Sequence, residues 1–368
     1  MATRALARLQ PHVTRVAMTI SCPDDVRNFV KECIPKLSSV PADDIHVSHL
    51  AGGLTNILYC ASHEQSNVHA VVRQFGEGTE AFIDRDAEEF WIAAFMDVYG
   101  RCDNGLAYEF LVGYAPPSLE EYKARRSELA TALAQFHHRG AMWGRCSPRY
   151  ANAPNSAKHV FLGSFIESAV QVKDKDLSGF SEEDQASLHR LIEQLPKDAE
   201  RLLRTIATFE HHLAVGPCHN DANTPNTLLH ADTRQIRFID FEYMQPSFLL
   251  ADIANTMCEF AGYDGEWERM LTREEKCAFL RRYFEESARL TMGKGATVEG
   301  SMEAEVAMMD LLEGVSHVGW AAWAVAQAAS STIDYDFVAY AVRRQGRFAS
   351  MIEDWEAQVH ACVPDLKI

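Results

Sequence analysis

The nine cysteines of this 368-residue chain form no C-x-x-C pair, and their number is odd. Thiols scattered in this way exclude a disulfide framework and a zinc ribbon; they fit a reducing compartment, and a cytoplasmic location is expected. A long apolar run is also missing. The most apolar helical stretch, 314–329, holds His317 and Gln327 and little Leu or Ile. It is too short and too polar to span a bilayer, and it reads as a buried helix with no membrane span. Positive charge is scarce, with 35 Lys and Arg against 52 Asp and Glu and a formal net charge of −17. Such a balance excludes a nucleic-acid-binding surface, which needs a basic patch. It favours cationic over anionic small substrates through the long-range field. No internal repeat or low-complexity tract is present.

What is there is globular. Hydrophobic content of 47% and charged content of 24% are ordinary for a folded domain, and the length suits two lobes. The first 23 residues stand apart. They carry Arg4, Arg8 and Arg15, several Ala and Thr, and no acid before Asp24. Such a segment is similar to a mitochondrial presequence; a disordered tail is the other reading, and both leave it outside the fold.

Residues 24–37 read as a helix with apolar positions at Val26, Phe29, Val30, Cys33 and Ile34. Strands follow at 45–50, 57–60 and 68–75, with a Gly52-Gly53 turn between the first two. Glycine there lets backbone N–H groups approach phosphates, although a plain turn has the same pattern. A helix is expected over 79–99 and a last strand over 106–112. The segment 113–118, G-Y-A-P-P-S, then breaks regular structure. Helices dominate afterwards: 118–138, 157–172, 182–212, 251–261, 272–290, 303–330 and 335–355. Strands first and helices later predict an α+β fold with a small antiparallel-sheet lobe over 24–112 and a larger helical lobe over 113–368. His137 and His138 fall near the expected end of the first of those helices, where histidines satisfy carbonyls and the dipole.

The chemistry concentrates at 218–242. His219, Asp221 and Asn226 form H-x-D-x-x-x-x-N, and the short β-type run 236–239 delivers Asp240 in D-F-E. The spacing suits phosphoryl transfer. One carboxylate orients and deprotonates an attacking hydroxyl, while an amide oxygen and a second carboxylate hold Mg²⁺ on nucleotide phosphates. In such a design Arg73, on the third strand, neutralises phosphates and pairs with an acid on the following helix, Glu88 rather than Glu89. The backbone of 109–111, from Glu109 to Leu111, would read the adenine edge.

Beyond these, the chain resembles the choline/ethanolamine kinase family over about residues 40–357. The shared segments are G-G-L-T-N (52–56), R-Q-F-G-E-G-T-E (73–80), I-D-R-D-A-E (83–88), C-H-N-D (218–221) with Asn226, I-D-F-E-Y (239–243), D-I-A-N-T-M-C-E-F (252–260) and W-A-A-W-A-V-A-Q (320–327). The resemblance implies a two-lobed eukaryotic protein-kinase-like fold that moves the γ-phosphoryl of ATP, with Mg²⁺, onto the hydroxyl of choline or ethanolamine. Asp221 would be the base, with His219 beside it in the catalytic loop. Asn226 and Asp240 would hold the metal, with Glu242 near it. Gly52, Gly53, Thr55, Asn56 and Arg73 would face the nucleotide. The family also implies a homodimer.

For the substrate, Trp320 and Trp323 share a helix face, and Gln327 follows four residues later. Periodicity alone reads this pair as core; the resemblance makes it a box for an ammonium group with Tyr340 and Tyr263, and Glu259 as the compensating carboxylate. Segments 259–262 and 332–337 favour ethanolamine, Cys258 favours choline, and choline is expected as a second substrate. The segment 244–250, M-Q-P-S-F-L-L, departs from the family's Tyr/Asn/Arg-rich pattern, as do Ala222 and Pro225. The rival readings are a kinase of the same fold for another alcohol, such as an aminoglycoside, and a non-catalytic nucleotide-binding protein.

Overall fold

The structure, a computed structural model, describes residues 13–50, 56–76, 83–147, 150, 160–293, 295, 297–331 and 333–363. The first lobe runs β1 (Thr14–Arg15), α1 (Pro23–Cys33), β2 (His46–Leu50), β3 (Asn56–His63), β4 (Val68–Phe75), α2 (Arg85–Phe95), β5 (Val98–Cys102) and β6 (Gly105–Glu109). Its strands form one six-stranded sheet in the order β1-β5-β6-β4-β3-β2. The neighbours are antiparallel except β1, which runs parallel to β5.

Nearly every residue of β4 is buried because both faces of the sheet are covered. Adjacent residues face opposite sides: Val72 joins the cluster made with α1 through Val26, Phe29 and Val30, while Val71 joins Trp91, Ile92 and Phe95 of α2. The apolar spacing of α1 is the one read from the sequence.

Two expectations are corrected here. The helix expected over 79–99 is shorter, and the strand β5 follows it. Asp84 caps α2 by accepting the Ala87 N–H at 2.9 Å, and Val98, Gly100 and Cys102 alternate into the sheet. Residues 13–23, set aside as tail, belong to the fold. Besides the β1 pairing, Ile20 is 1% exposed, and its N–H and C=O both bond the Asn104 side chain, at 2.8 and 2.9 Å. Residues 1–12 lie outside the described residues.

The second lobe runs β7 (Tyr114–Ala115), α3 (Leu119–Ala124), α4 (Arg126–Gly144), α5 (Val160–Gln171), α6 (Glu182–Phe209), β8 (Val215–Cys218), β9 (Thr227–His230), β10 (Ile236–Phe238), β11 (Gln245–Phe248), α7 (Leu249–Cys258), α8 (Arg273–Met292), α9 (Glu303–Ala328) and α10 (Phe337–Cys362). The stretch read as a buried helix lies in α9, which packs against α5, α6, α7, α8 and α10. Among the described residues no helix is long and apolar enough to cross a membrane. A small sheet lobe and a larger helical lobe are thus the observed α+β architecture.

His137 and His138 do not end a helix, because α4 continues to Gly144. His137 is buried at its middle, with Nε2 2.9 Å from Asp252 Oδ2 and Nδ1 2.7 Å from Tyr283 Oη. One turn further on, a Cβ at Gly140 would stand 2.9 Å from Pro217 Cγ. Glycine therefore lets α4 lie close against β8, the strand that leads into the catalytic motif.

Candidate active site

Two small ladders hold the loop 219–226. β8 pairs with β11, Cys218 opposite Gln245, and β9 pairs with β10, Thr227 opposite Phe238. Between them the chain is clamped from below by one buried carboxylate. Asp252 of α7 accepts the His219 N–H at 2.8 Å, the Asn220 N–H at 2.7 Å and the His137 ring. Burial raises the Asp252 carboxyl, but these donors outweigh it and hold the group below the usual range. The C-H-N-D residues then explain themselves. Asn220 has φ 64°, a left-handed conformation that Asn tolerates, and its amide ties Cys218 O and Tyr243 O together at 3.3 and 2.8 Å.

His219, grouped on sequence with the catalytic residues, is fully buried and does not line the cavity. Its Nε2–H donates to Ile239 O at 2.9 Å, and Nδ1 accepts the Asp221 N–H at 3.3 Å. Burial lowers its pKa, so the ring is neutral and serves as a strut between the Asp221 and Asp240 segments. Asp240 also adopts a left-handed φ of 65° at the end of β10, which turns its carboxylate back toward Arg73.

Arg73 of β4 is buried and gathers three acids. It pairs with Glu88 of α2, with Glu242 at 3.0 Å and with Asp240 at 3.1 Å. Glu89 faces the other way, to Arg15 and Arg101, so the preference for Glu88 is the geometry observed. Asn56 bonds Glu242 and accepts from Arg85 at 2.9 Å. Arg85, which the sequence reading missed, is buried and reaches Glu88 at 2.7 Å and Glu242 at 3.7 Å. Its only advance signal was its place in I-D-R-D-A-E, beside the acid that was chosen.

These groups open onto a cavity of about 460 Å³, within the range of small-molecule sites. Its polar lining includes Asn56, Arg73, Asp221, Asn226, Asp240, Glu242 and Glu259, and its aromatic lining Tyr243, Tyr263, Trp320, Trp323 and Tyr340. The tryptophans stand edge to face with centroids 5.4 Å apart. Trp323 Nε1 donates to Tyr243 Oη at 3.0 Å, and Tyr243 meets Trp320 edge-on at 5.3 Å. Ile333, Asp334, Tyr335 and Phe337 complete this wall; they belong to the 332–337 segment that the resemblance linked to ethanolamine, at the entry to α10.

Several candidates fall elsewhere. Glu109 ends β6 opposite Ala70, and neither it nor Leu111 lines the cavity. Gln327 also stays off the wall; its backbone carbonyl receives the Ser330 and Ser331 N–H groups at the end of α9. Gly52, Gly53 and Thr55 lie outside the described residues. The unusual 244–250 segment is β11 and the first turn of α7, and no residue of it faces the cavity.

The electrostatics are acidic. Burial pushes the Asp221 carboxyl well above the usual carboxylate range, and the charges of Glu259, Asp240 and Glu242 push the same way, against the Asn223 amide that donates to it at 2.9 Å. Glu242 is raised by burial and by Asp240, with Arg73 opposing. Glu259 is raised by burial, with Arg344 opposing. A carboxylate-rich cavity of this kind is completed by cations. The oxygen donors suit a hard divalent ion. Asp240, Glu242 and Glu88 place carboxylate oxygens within 4.8 Å of one another, and Asn226 gives its Nδ2 to Asp221 at 2.8 Å, leaving the amide oxygen for a metal.

A sheet lobe over a helical lobe, with Asp221 and Asn226 on one loop and a second acid, Asp240, just past β10, is the arrangement of a phosphotransferase of the protein-kinase-like fold. The model of the choline/ethanolamine kinase family matches residues 47–349. Ethanolamine kinase 1 of Mus musculus is 28% identical over 365 residues, covering 93% of this chain and 94% of that protein. Ethanolamine kinase 2 of Rattus norvegicus is 29% identical over 322 residues, covering 83% and 76%. Among solved structures, ethanolamine kinase of Plasmodium vivax aligns with a TM-score of 0.70 at 19% identity over 91% of this chain and 89% of that one. Choline kinase of Cryptosporidium parvum gives 0.68 at 19% over 92% and 99%. This chain belongs to the choline/ethanolamine kinase family.

Proposed function

We propose that this protein transfers the γ-phosphoryl group of ATP to the hydroxyl of ethanolamine, with choline as a second acceptor. The observation that carries the reading is the shared cavity: Asp221 and the metal-fitting acids line it together with tryptophan, tyrosine and Glu259. An amino alcohol bound there would set its ammonium against the aromatic faces and its hydroxyl toward Asp221. A primary ammonium donates three hydrogen bonds, whereas a quaternary one donates none. The carboxylates of Glu259 and Asp334 on the wall therefore favour ethanolamine, in line with the ethanolamine kinases among the relatives.

In this reading Asp221 receives the acceptor's hydroxyl proton as the oxygen attacks the γ-phosphorus. Its raised pKa falls when an ammonium and a divalent cation enter, so the substrates themselves ready the base. Asn226 fixes the Asp221 carboxylate through the Nδ2 bond. Asp240, Glu242 and the Asn226 oxygen would hold Mg²⁺, which supplies charge neutralisation on the phosphates. Arg73, anchored by Glu88, adds a fixed positive charge beside them, and Arg85 keeps Glu88 and Glu242 in register. Asp221, Asn226 and Asp240 together in one cavity argue against a non-catalytic protein.

The test is ADP release with Mg-ATP and a panel of ethanolamine, its N-methylated forms, choline and aminoglycosides. Turnover on ethanolamine, then choline, is expected, and chelation of the metal should abolish it. A protein that phosphorylates only an aminoglycoside, or nothing in the panel, overturns the proposal.

A further inference from the structure

Next to the aromatic wall lies a buried polar chain that ends on the Trp320 indole. Arg344 of α10 is 5% exposed. Its Nη2 donates to Ser316 Oγ at 2.6 Å, and the Ser316 hydroxyl donates in turn to Asn255 Oδ1 at 2.6 Å. The same Asn255 oxygen accepts Trp320 Nε1–H at 3.0 Å. Every donor direction is determined. Arg344 and the indole can only donate, so Ser316 must accept from one side and donate to the other, and Asn255 must present its oxygen to both.

Arg344 also lies against a second wall residue. Its guanidinium is 5.7 Å from the Tyr340 ring centroid. It is also the charge that opposes the burial of Glu259. A cation behind a cation-binding pocket would be a liability if it acted alone. Here it is offset by the carboxylates of Glu259 and Glu313, with the Tyr340 and Cys258 side chains beside it. The chain also crosses elements: Asn255 is on α7, Ser316 and Trp320 on α9, and Arg344 and Tyr340 on α10.

We propose that Arg344 is a positioning residue for the acceptor: through Ser316 and Asn255 it fixes the Trp320 indole, and directly it backs the Tyr340 ring, without contacting the substrate. The inference rests on the acceptor site read above, since it names what holds that site's wall. An indole whose N–H is fixed cannot swing about its χ2 axis, so its π face stays presented to the ammonium before binding, and little ordering entropy is lost when the acceptor arrives.

The experiment compares kcat and the two KM values in the wild type, Arg344→Met, Arg344→Lys and Ser316→Ala, with melting temperatures for each. Wild-type turnover on ethanolamine or choline is measured first, and its absence removes the acceptor reading and this inference together. Given turnover, Arg344→Met should raise the acceptor KM roughly tenfold and leave kcat and the ATP KM within about twofold. Arg344→Lys, which restores the charge and a donor, should recover most of the loss. Ser316→Ala keeps Arg344 but cuts the chain, and should raise the acceptor KM by roughly threefold to fivefold at an ordinary melting temperature. If Arg344→Met does not fold, Ser316→Ala decides. An unchanged acceptor KM in Ser316→Ala, or acceptor and ATP KM values that rise together in Arg344→Met, overturns the positioning role and leaves the acceptor reading standing.

Discussion

Asp221 is half-buried among like charges and held by two side-chain amides. Its carboxylate takes the Asn223 Nδ2–H at 2.9 Å and the Asn226 Nδ2–H at 2.8 Å, which aim it and oppose its tendency to hold a proton. Asp221→Asn keeps the volume and removes the proton acceptor. We expect kcat to fall by ~10²–10⁴-fold, the usual contribution of a positioned base, while nucleotide affinity measured by calorimetry changes less than about threefold. Ordinary turnover by that variant would return the base assignment to another group. At this scale the motif residues were readable in advance because the chemistry fixes their spacing. His219 was the exception. H-x-D suggests a histidine next to the reaction, whereas the ring is neutral, buried and bonded to Ile239 and to the Asp221 backbone.

At the scale of elements, α7 and β1 do work that the catalytic motif does not announce. Asp252→Ala would leave the His219 N–H, the Asn220 N–H and the His137 ring without their shared acceptor in a dry interior. A loss of about 3 kcal/mol is expected, read as a lowered urea midpoint, together with a fall in kcat as the Asp221 loop loses its clamp. At the other end of the molecule, Ile20 fills the space beside Gly105, where its Cδ1 would stand 3.0 Å from an added Cβ. Ile20→Ala should cost about 2–4 kcal/mol in the same measurement; a change near zero would return residues 13–23 to the status of a tail. The two elements differ in legibility. Helices α1, α8 and α9 follow from apolar periodicity and caps such as Thr272 with Glu275. Strands β1 and β5 did not: the start of β5 was taken into the helix expected over 79–99, and β1 is two residues whose partner lies far along the chain. The Arg344–Ser316–Asn255 chain was invisible for the same reason: three helices supply one residue each.

For the whole molecule, the charge that excluded nucleic acid at the outset is also concentrated at the site. The chain carries a formal net charge of −17, and among the described residues the cavity is lined by Asp221, Asp240, Glu242, Glu259 and Asp334 against the one cationic side chain of Arg73. A negative cleft raises the local concentration of a cationic acceptor and opposes the approach of an anionic nucleotide. Salt screens both effects, since the Debye length shrinks from ~30 Å at 0.01 M to ~8 Å at 0.15 M. The two substrates must then respond in opposite senses. As ionic strength rises at constant free Mg²⁺, the KM for ethanolamine should rise several-fold, and the KM for Mg-ATP, still an anion, should hold or fall. The direct ion pairs inside the cavity are desolvated and screened less, so kcat should change little. Steady-state kinetics across that salt range measures all three quantities. A rise in both KM values together would show that salt acts on the fold or the metal instead of the field, and would remove long-range charge from the account of acceptor capture.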